Sequence, residues 1–164
     1  MKTPTNKTLS IDNVTKKLEF YCAYQERCHD EVIEKMRSYA MTPQEIDSII
    51  VHLIEHNFLN EERFACSFSR GKHRIKFWGK IRIVNELKFR HISKYNIDKA
   101  LKEFSEAEYL ENFHKLAENH WQTMRENNII KKRKKFCDFL LRKGFESNLI
   151  YEKVKEMESS KSCE

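Results

Sequence analysis

Glycine and proline are scarce, three and two in 164 residues. Tight β-turns lean on both, so a turn-rich β architecture has no support and the chain reads as all-α. Long apolar runs are missing, which leaves nothing to cross a membrane as a helix, and no signal peptide is legible. The five cysteines (Cys22, Cys28, Cys66, Cys137, Cys163) form an odd set without a CxxC pair, the usage of a reduced, cytoplasmic protein. Cys66 and Cys137 sit among apolar neighbours and read as small buried hydrophobes.

Catalytic signatures are equally thin. A phosphate-binding loop needs two glycines flanking four residues, then a lysine and a hydroxyl residue; Gly71-Lys72-His73 and Gly79-Lys80-Ile81 have neither the upstream glycine nor the Ser/Thr. His52-Leu53-Ile54-Glu55-His56 matches the H-x-x-E-H pattern of inverted zinc peptidases. Ile46, Ile49, Ile50, Leu53 and Ile54 read as the buried stripe of that helix, which puts His52, Glu55 and His56 on its wet side with no third ligand in view. Cys22, Cys28 and His29 are irregularly spaced, and no GxSxG context occurs. The expectation is a protein that is not an enzyme and uses no cofactor or metal.

Charge, by contrast, is abundant and unevenly placed. The net charge is +6, yet Arg70 to His91 alone carries +7 and Lys131 to Lys143 carries +6, leaving −7 for the rest. Two basic patches on an acidic chain point to a polyanion or an acidic protein surface as partner, although solubility also accounts for a basic face.

Helix signals recur along the chain. Thr42-Pro43-Gln44-Glu45 combines a hydroxyl N-cap, proline at the first helical position and glutamate at the third. Asn60 caps a helix whose first turn is acidic, Ser105-Glu106-Ala107-Glu108 reads as a second capping box, and Gly144 as a C-terminal stop. Three segments superpose without gaps: MRSYAMTPQEID from Met36, LKFRHISKYNID from Leu87 and LLRKGFESNLIY from Leu140. Val32, Ile33 and Met36 correspond to Ile83, Val84 and Leu87, then to Phe136, Cys137 and Leu140, the spacing of a buried helical stripe.

The predicted architecture is therefore all-α, with three tandem three-helix modules forming an elongated, curved helical array. Module boundaries fall at residues 11–58, 59–104 and 105–158, between flexible tails at 1–10 and 159–164. Modules this small bury modest cores and draw stability from stacking on their neighbours.

Within GKIRIVNELKFRH the inward stripe reads as Ile81, Val84 and Leu87 with Phe89 or Ile83, leaving Lys80, Arg82, Glu86, Lys88 and Arg90 outside. Cations on one helix face bind phosphates through charge and counterion release, without sequence selection. Phe77-Trp78 could stack on exposed bases, but packing into the core is the stronger reading. For Lys131, Lys132, Arg133, Lys134 and Lys135, a solvated helix start and a phosphate-binding site are both open, although the dipole disfavours cations there.

Several motifs then fall in a telling order: a short helix around Tyr21 to Arg27, the stretch DEVIEKM, the junction NFLNEERFA (Asn57 to Ala65), GKIRIVNEL (Gly79 to Leu87), and LRKGF (Leu141 to Phe145) with Ile150. In order and spacing these resemble the RecX family, regulators of the RecA recombinase. The junction resembles the family's glycine-leucine-aspartate signature, and GKIRIVNEL its glycine-x-x-Arg-Ile-x-x-Glu-Leu motif. His91 and Ala40 stand where the family's turns have glycine, and Asn57 replaces another.

The resemblance implies a monomeric cytoplasmic modulator that lies in the groove of the RecA–DNA filament and bridges protomers. It would inhibit ATP hydrolysis, strand exchange and co-protease activity, or promote disassembly, with single- or double-stranded DNA as a further partner. A DNA-containing groove is negative and would favour Arg70, Lys72, Arg74, Lys80, Arg82, Lys88 and Arg90 on the facing surface. The alternative is an autonomous helical DNA-binding protein.

Overall fold

The computed structural model describes residues 10–159, and these form nine α-helices and no strand. They are α1 (Ile11–Tyr24), α2 (His29–Arg37), α3 (Pro43–Glu55), α4 (Glu61–Lys76), α5 (Lys80–Phe89), α6 (Lys94–Ala100), α7 (Glu106–Thr123), α8 (Ile129–Lys143) and α9 (Ser147–Ser159). The all-α reading holds, and the helices follow one another as tandem groups of three. The tails expected at 1–10 and 159–164 lie outside the described residues except for Ser10, which caps α1, and Ser159, which closes α9.

Local chemistry sets the helix ends. The Thr42 hydroxyl accepts from the Glu45 amide at 3.3 Å while the Glu45 carboxylate accepts from the Thr42 amide at 2.8 Å, the reciprocal box that starts α3. Asn60 accepts from the Arg63 amide at 2.8 Å and so caps α4. At α7 only half of the expected box forms: the Ser105 hydroxyl accepts from the Glu108 amide at 3.1 Å, but the Glu108 carboxylate is taken by Arg74 instead. Gly144 ends α8 in the left-handed conformation, φ +88°.

The turn residues that replace glycine keep the left-handed backbone. Ala40, Asn57 and His91 have φ of 53°, 59° and 56°. For an L-residue such a conformation costs roughly 1–2 kcal/mol.

Two compact units divide between Phe64 and Ala65. In the first, α3 packs on α1 and α2 around Val14, Leu18, Cys22, Val32, Met36, Ile49, Leu53 and Leu59. The i, i+4 spacing of these residues along each helix supplies one apolar stripe apiece. Arg63 ties this unit's last turn together, donating to the Asn57 side chain and carbonyl, each at 2.9 Å, and to the Glu26 carboxylate.

The second unit holds the other two helical groups around one core. Phe104, Tyr109, Phe113 and Phe145 form a chain of rings with centroids 5.0–5.9 Å apart, joined by buried Ile83, Leu87, Phe136, Leu140 and Ile150. The stripe of α5 differs in phase from the sequence reading. Ile83 and Leu87 are the buried pair, whereas Ile81 and Phe89 point outward, Phe89 at 79% exposure. On α3, Ile54 is likewise exposed.

Candidate polyanion-binding surface

The second basic segment ends at a joint in the second unit. At its N-terminus α5 has amides without helical partners, and the end of α8 has carbonyls in the same state. They satisfy one another: Gly79 N–H donates to the Lys143 carbonyl at 2.8 Å and Ile81 N–H to the Gly144 carbonyl at 3.1 Å. Lys80 N–H donates to the Tyr109 hydroxyl at 3.2 Å, which itself donates to Glu146 at 2.6 Å. Burial and the Glu146 carboxylate push the Tyr109 phenol pKa up, so it stays a donor. The positive end of α5 thus abuts the negative end of α8.

Much of the basic charge is cancelled by acids, most of them distant in sequence. Arg70 pairs with Glu103 at 2.5 Å, Arg74 with Glu108 at 2.6 Å, Lys80 with Glu106 at 2.6 Å, and Arg90 with Glu86 at 2.7 Å. On α8, Arg133 pairs with Glu158 at 2.8 Å and Lys135 with Glu126 at 2.6 Å. Arg74 holds the Glu108 carboxyl below the usual carboxylate range, and Lys135 does the same for Glu126. Lys132 is 7% exposed, with its ammonium 4.8 Å from the Trp121 ring centre, and is withdrawn from the basic surface.

Lys72, Arg82 and Lys88 remain from the expected set without an acid partner among the described residues, as does exposed Lys134, whereas Lys131 acts with Lys135 on Glu126. Two of these converge. The Arg82 guanidinium lies 3.9 Å from the Trp78 ring centre and the Lys72 ammonium 4.9 Å from it. Trp78 is therefore occupied by the protein's own cations, while it and Phe77 are half-buried and lie outside the buried core. Arg82 also donates to the Arg142 carbonyl at 3.0 Å, and the Lys143 ammonium to the Lys76 carbonyl at 2.9 Å.

Lys76 and Lys143 thus join Lys72 and Arg82 in one cluster without carboxylate partners among the described residues, and Arg142, whose guanidinium donates back to the Asp138 carbonyl at 3.2 Å, lines the same groove as Arg82. Burial, together with Arg82 and Lys76 nearby, pulls the Lys143 pKa below its ordinary value. The sequence stripe missed these three, although Lys76 lies within the first basic segment and Arg142 and Lys143 close the second. Beside the cluster runs an open groove of about 490 Å³ between α5 and α8, with Ile81, Phe89 and Leu141 as its apolar lining and Arg82 and Arg142 on its edge.

The remaining candidates hold one another. His52 Nε2 lies 2.7 Å from Glu19 Oε1, and His56 Nδ1 hydrogen-bonds the His52 carbonyl at 2.9 Å. Among the described residues no three His, Cys, Asp or Glu side chains converge to hold a metal ion, and no helix is long and apolar enough to cross a membrane. Buried His73, unforeseen in the sequence, bonds the Trp78 carbonyl through Nδ1 at 3.0 Å and faces Asn112 Nδ2 at 2.9 Å through Nε2. A carbonyl only accepts, so Nδ1 carries the proton, and the ring splices α4 to α7.

Two family models match this chain: the second three-helix domain of RecX over residues 60–101 and the third over residues 106–154. Together they cover more than half of it. The chain belongs to the RecX family.

The regulatory protein RecX of Bacillus cytotoxicus is 24% identical over 141 residues, covering 86% of this chain and 52% of that protein. That of Limosilactobacillus reuteri is 26% identical over 136 residues, covering 83% and 51%. The chain spans about half the length of the curated relatives it matches. A crystal structure of RecX from Lactobacillus salivarius superposes with a TM-score of 0.74 at 26% identity, over 90% of this chain and 96% of that one. A second RecX crystal structure gives a TM-score of 0.75 at 23% identity, over 88% and 74%, and shares the fold. In GKIRIVNEL of this chain, Gly79 admits the close approach of α8 and Arg82 grips its last turn.

Proposed function

We propose that this RecX-family chain binds a RecA-type recombinase filament on DNA and restrains it. The outcome is inhibition of ATP hydrolysis, strand exchange and co-protease activity in recombination and DNA repair. The observation that carries this reading is the adjacency of two surfaces sharing Arg82 and Arg142: a cation cluster without acid partners and an exposed apolar groove. A nucleoprotein filament offers phosphate and protein side by side, and such a partner uses both.

Lys72, Lys76, Arg142 and Lys143 would meet negative potential through space, with no base contacts and hence no sequence preference. Ile81, Phe89 and Leu141 would take an apolar edge of the protein component. Arg70, Arg74, Lys80 and Arg90, already neutralised by acids, contribute less than their number in the sequence implies. The chain acts as a monomer in the cytoplasm, without cofactor or catalytic step.

Titration onto naked DNA and onto preformed filaments tests the reading. Tighter binding to filaments than to the same DNA supports it. Tight, sequence-selective binding to bare duplex with no filament preference would identify an autonomous DNA-binding protein instead.

A further inference from the structure

The first unit carries an aromatic surface unrelated to its core. On α1, Lys16, Phe20 and Tyr24 recur at four-residue spacing on one face, and Lys17 and Tyr21 lie one residue further round. Phe20 and Tyr24 are 74% and 79% exposed, a large solvent cost for two rings that stabilise nothing in the core. With Lys35 and Tyr39 these residues line an open hollow of about 470 Å³ that contains four aromatic rings, three lysines and no carboxylate.

The inner rings are held by cations. Lys17 lies 5.4 Å from the Tyr39 ring centre, and Arg27 and Lys35 lie 4.1 and 5.8 Å from that of Tyr21. The outer pair, Phe20 and Tyr24, presents open π-faces. Of the nearby acids, Glu19 faces His52 at 2.7 Å and Glu34 pairs with Arg37 at 2.6 Å, while Glu31 faces Arg27, the cation over Tyr21, at 3.9 Å.

We infer that this face of α1 and α2 is a stacking platform for single-stranded DNA, with Phe20 and Tyr24 taking unpaired bases and Lys16, Lys17 and Lys35 taking the flanking phosphates. Every base has a π-face, so exposed rings among lysines suit a single strand without sequence preference, whereas duplex DNA keeps its bases stacked and offers the rings nothing. Charge complementarity excludes an acid-free apolar partner, which would leave three lysines unanswered. The choice of DNA over RNA rests on the proposed filament reading; the platform itself stands apart from it and from the cation cluster of the second unit.

The test measures anisotropy of a labelled oligothymidylate with the full chain, with F20A/Y24A, and with an oligomer of abasic sugar-phosphate. It is repeated in a K76E/R142E background, which disables the second unit's surface. Both F20A/Y24A and removal of the bases are expected to weaken binding at least about tenfold, the duplex of equal length changing less than about twofold on F20A/Y24A. Y24F should retain affinity, because the ring is kept. Both substituted side chains are exposed, so the fold survives, and far-UV circular dichroism checks this.

Unchanged oligothymidylate affinity in F20A/Y24A, or equal binding of the abasic strand, would overturn the platform. So would loss of filament inhibition with oligonucleotide binding intact, which assigns the surface to a protein partner. Tighter binding of oligouridylate than of oligothymidylate would overturn the assignment to DNA. Equal inhibition by K76E/R142E, which would contradict the filament reading, leaves these arms unaffected, so the platform and the filament reading fail separately.

Discussion

Gly79 and Gly144 meet backbone to backbone. A β-carbon on Gly79 would overlap the Gly144 carbonyl, and one on Gly144 would overlap Arg82. The contact brings the start of α5 onto the end of α8 and places Arg82, Arg142 and Lys143 in one patch. Gly79 has φ −77°, ordinary for any residue, so its need for glycine is purely one of space. Gly79→Ala should therefore cost about 2–4 kcal/mol, through overpacking and the strained pair of inter-helix hydrogen bonds. Urea denaturation reads this; a midpoint equal to wild type would show that the joint tolerates separation.

Ala40 argues in the opposite direction. Its left-handed backbone, φ 53°, serves the turn between α2 and α3 without glycine's freedom. Ala40→Gly removes that strain but loosens the unfolded chain, a net gain of about 0.5–1 kcal/mol. The expected result is a higher Tm with unchanged binding, measured by thermal melt.

Lys153 sets a pH dependence. It is 2% exposed and donates to Glu118 and Glu156, both at 2.8 Å. Burial draws its pKa down, but the two carboxylates more than offset that and leave it raised, while Lys153 lowers the pKa of Glu118. A lysine pKa raised on folding stabilises below the unfolded value of about 10.4 and is lost as pH rises through the folded one. A glutamate pKa lowered on folding stabilises above about 4.3 and is lost as pH falls through the folded one. Glu118→Gln with Glu156→Gln leaves a buried ammonium without its acids and should cost about 1–3 kcal/mol near neutral pH. The deficit relative to wild type should shrink in acid; a deficit that does not change with pH would place the effect in packing.

How far the sequence revealed this molecule depends on whether the deciding interaction was local. The Thr42 and Asn60 caps and the Gly144 stop were legible because each partner lies within four residues. Val32, Ile83 and Phe136 occupied their buried places because repeated spacing fixes a helix face. Ile81 and Phe89 were misplaced inward because two stripe phases fit the same ten residues, and only the docking of α8 chooses between them. The pairing of Arg70 with Glu103 and of Arg74 with Glu108 was invisible, since helical periodicity says which face is wet but not which wet faces meet. Lys132 carries a signal: it stands one turn before Phe136 on the buried stripe, inside what composition alone marks as a charge run.

The central claim is that the cation cluster beside the α5–α8 groove restrains the filament. Inhibition of DNA-dependent ATP hydrolysis by the recombinase from the same cell, measured at physiological salt with wild type and with K76E/R142E, tests it most directly. Both side chains are exposed, so the variant should melt like wild type while its half-inhibitory concentration rises at least about tenfold. Equal inhibition by the folded variant would contradict the account and reduce the cluster to a solvated face.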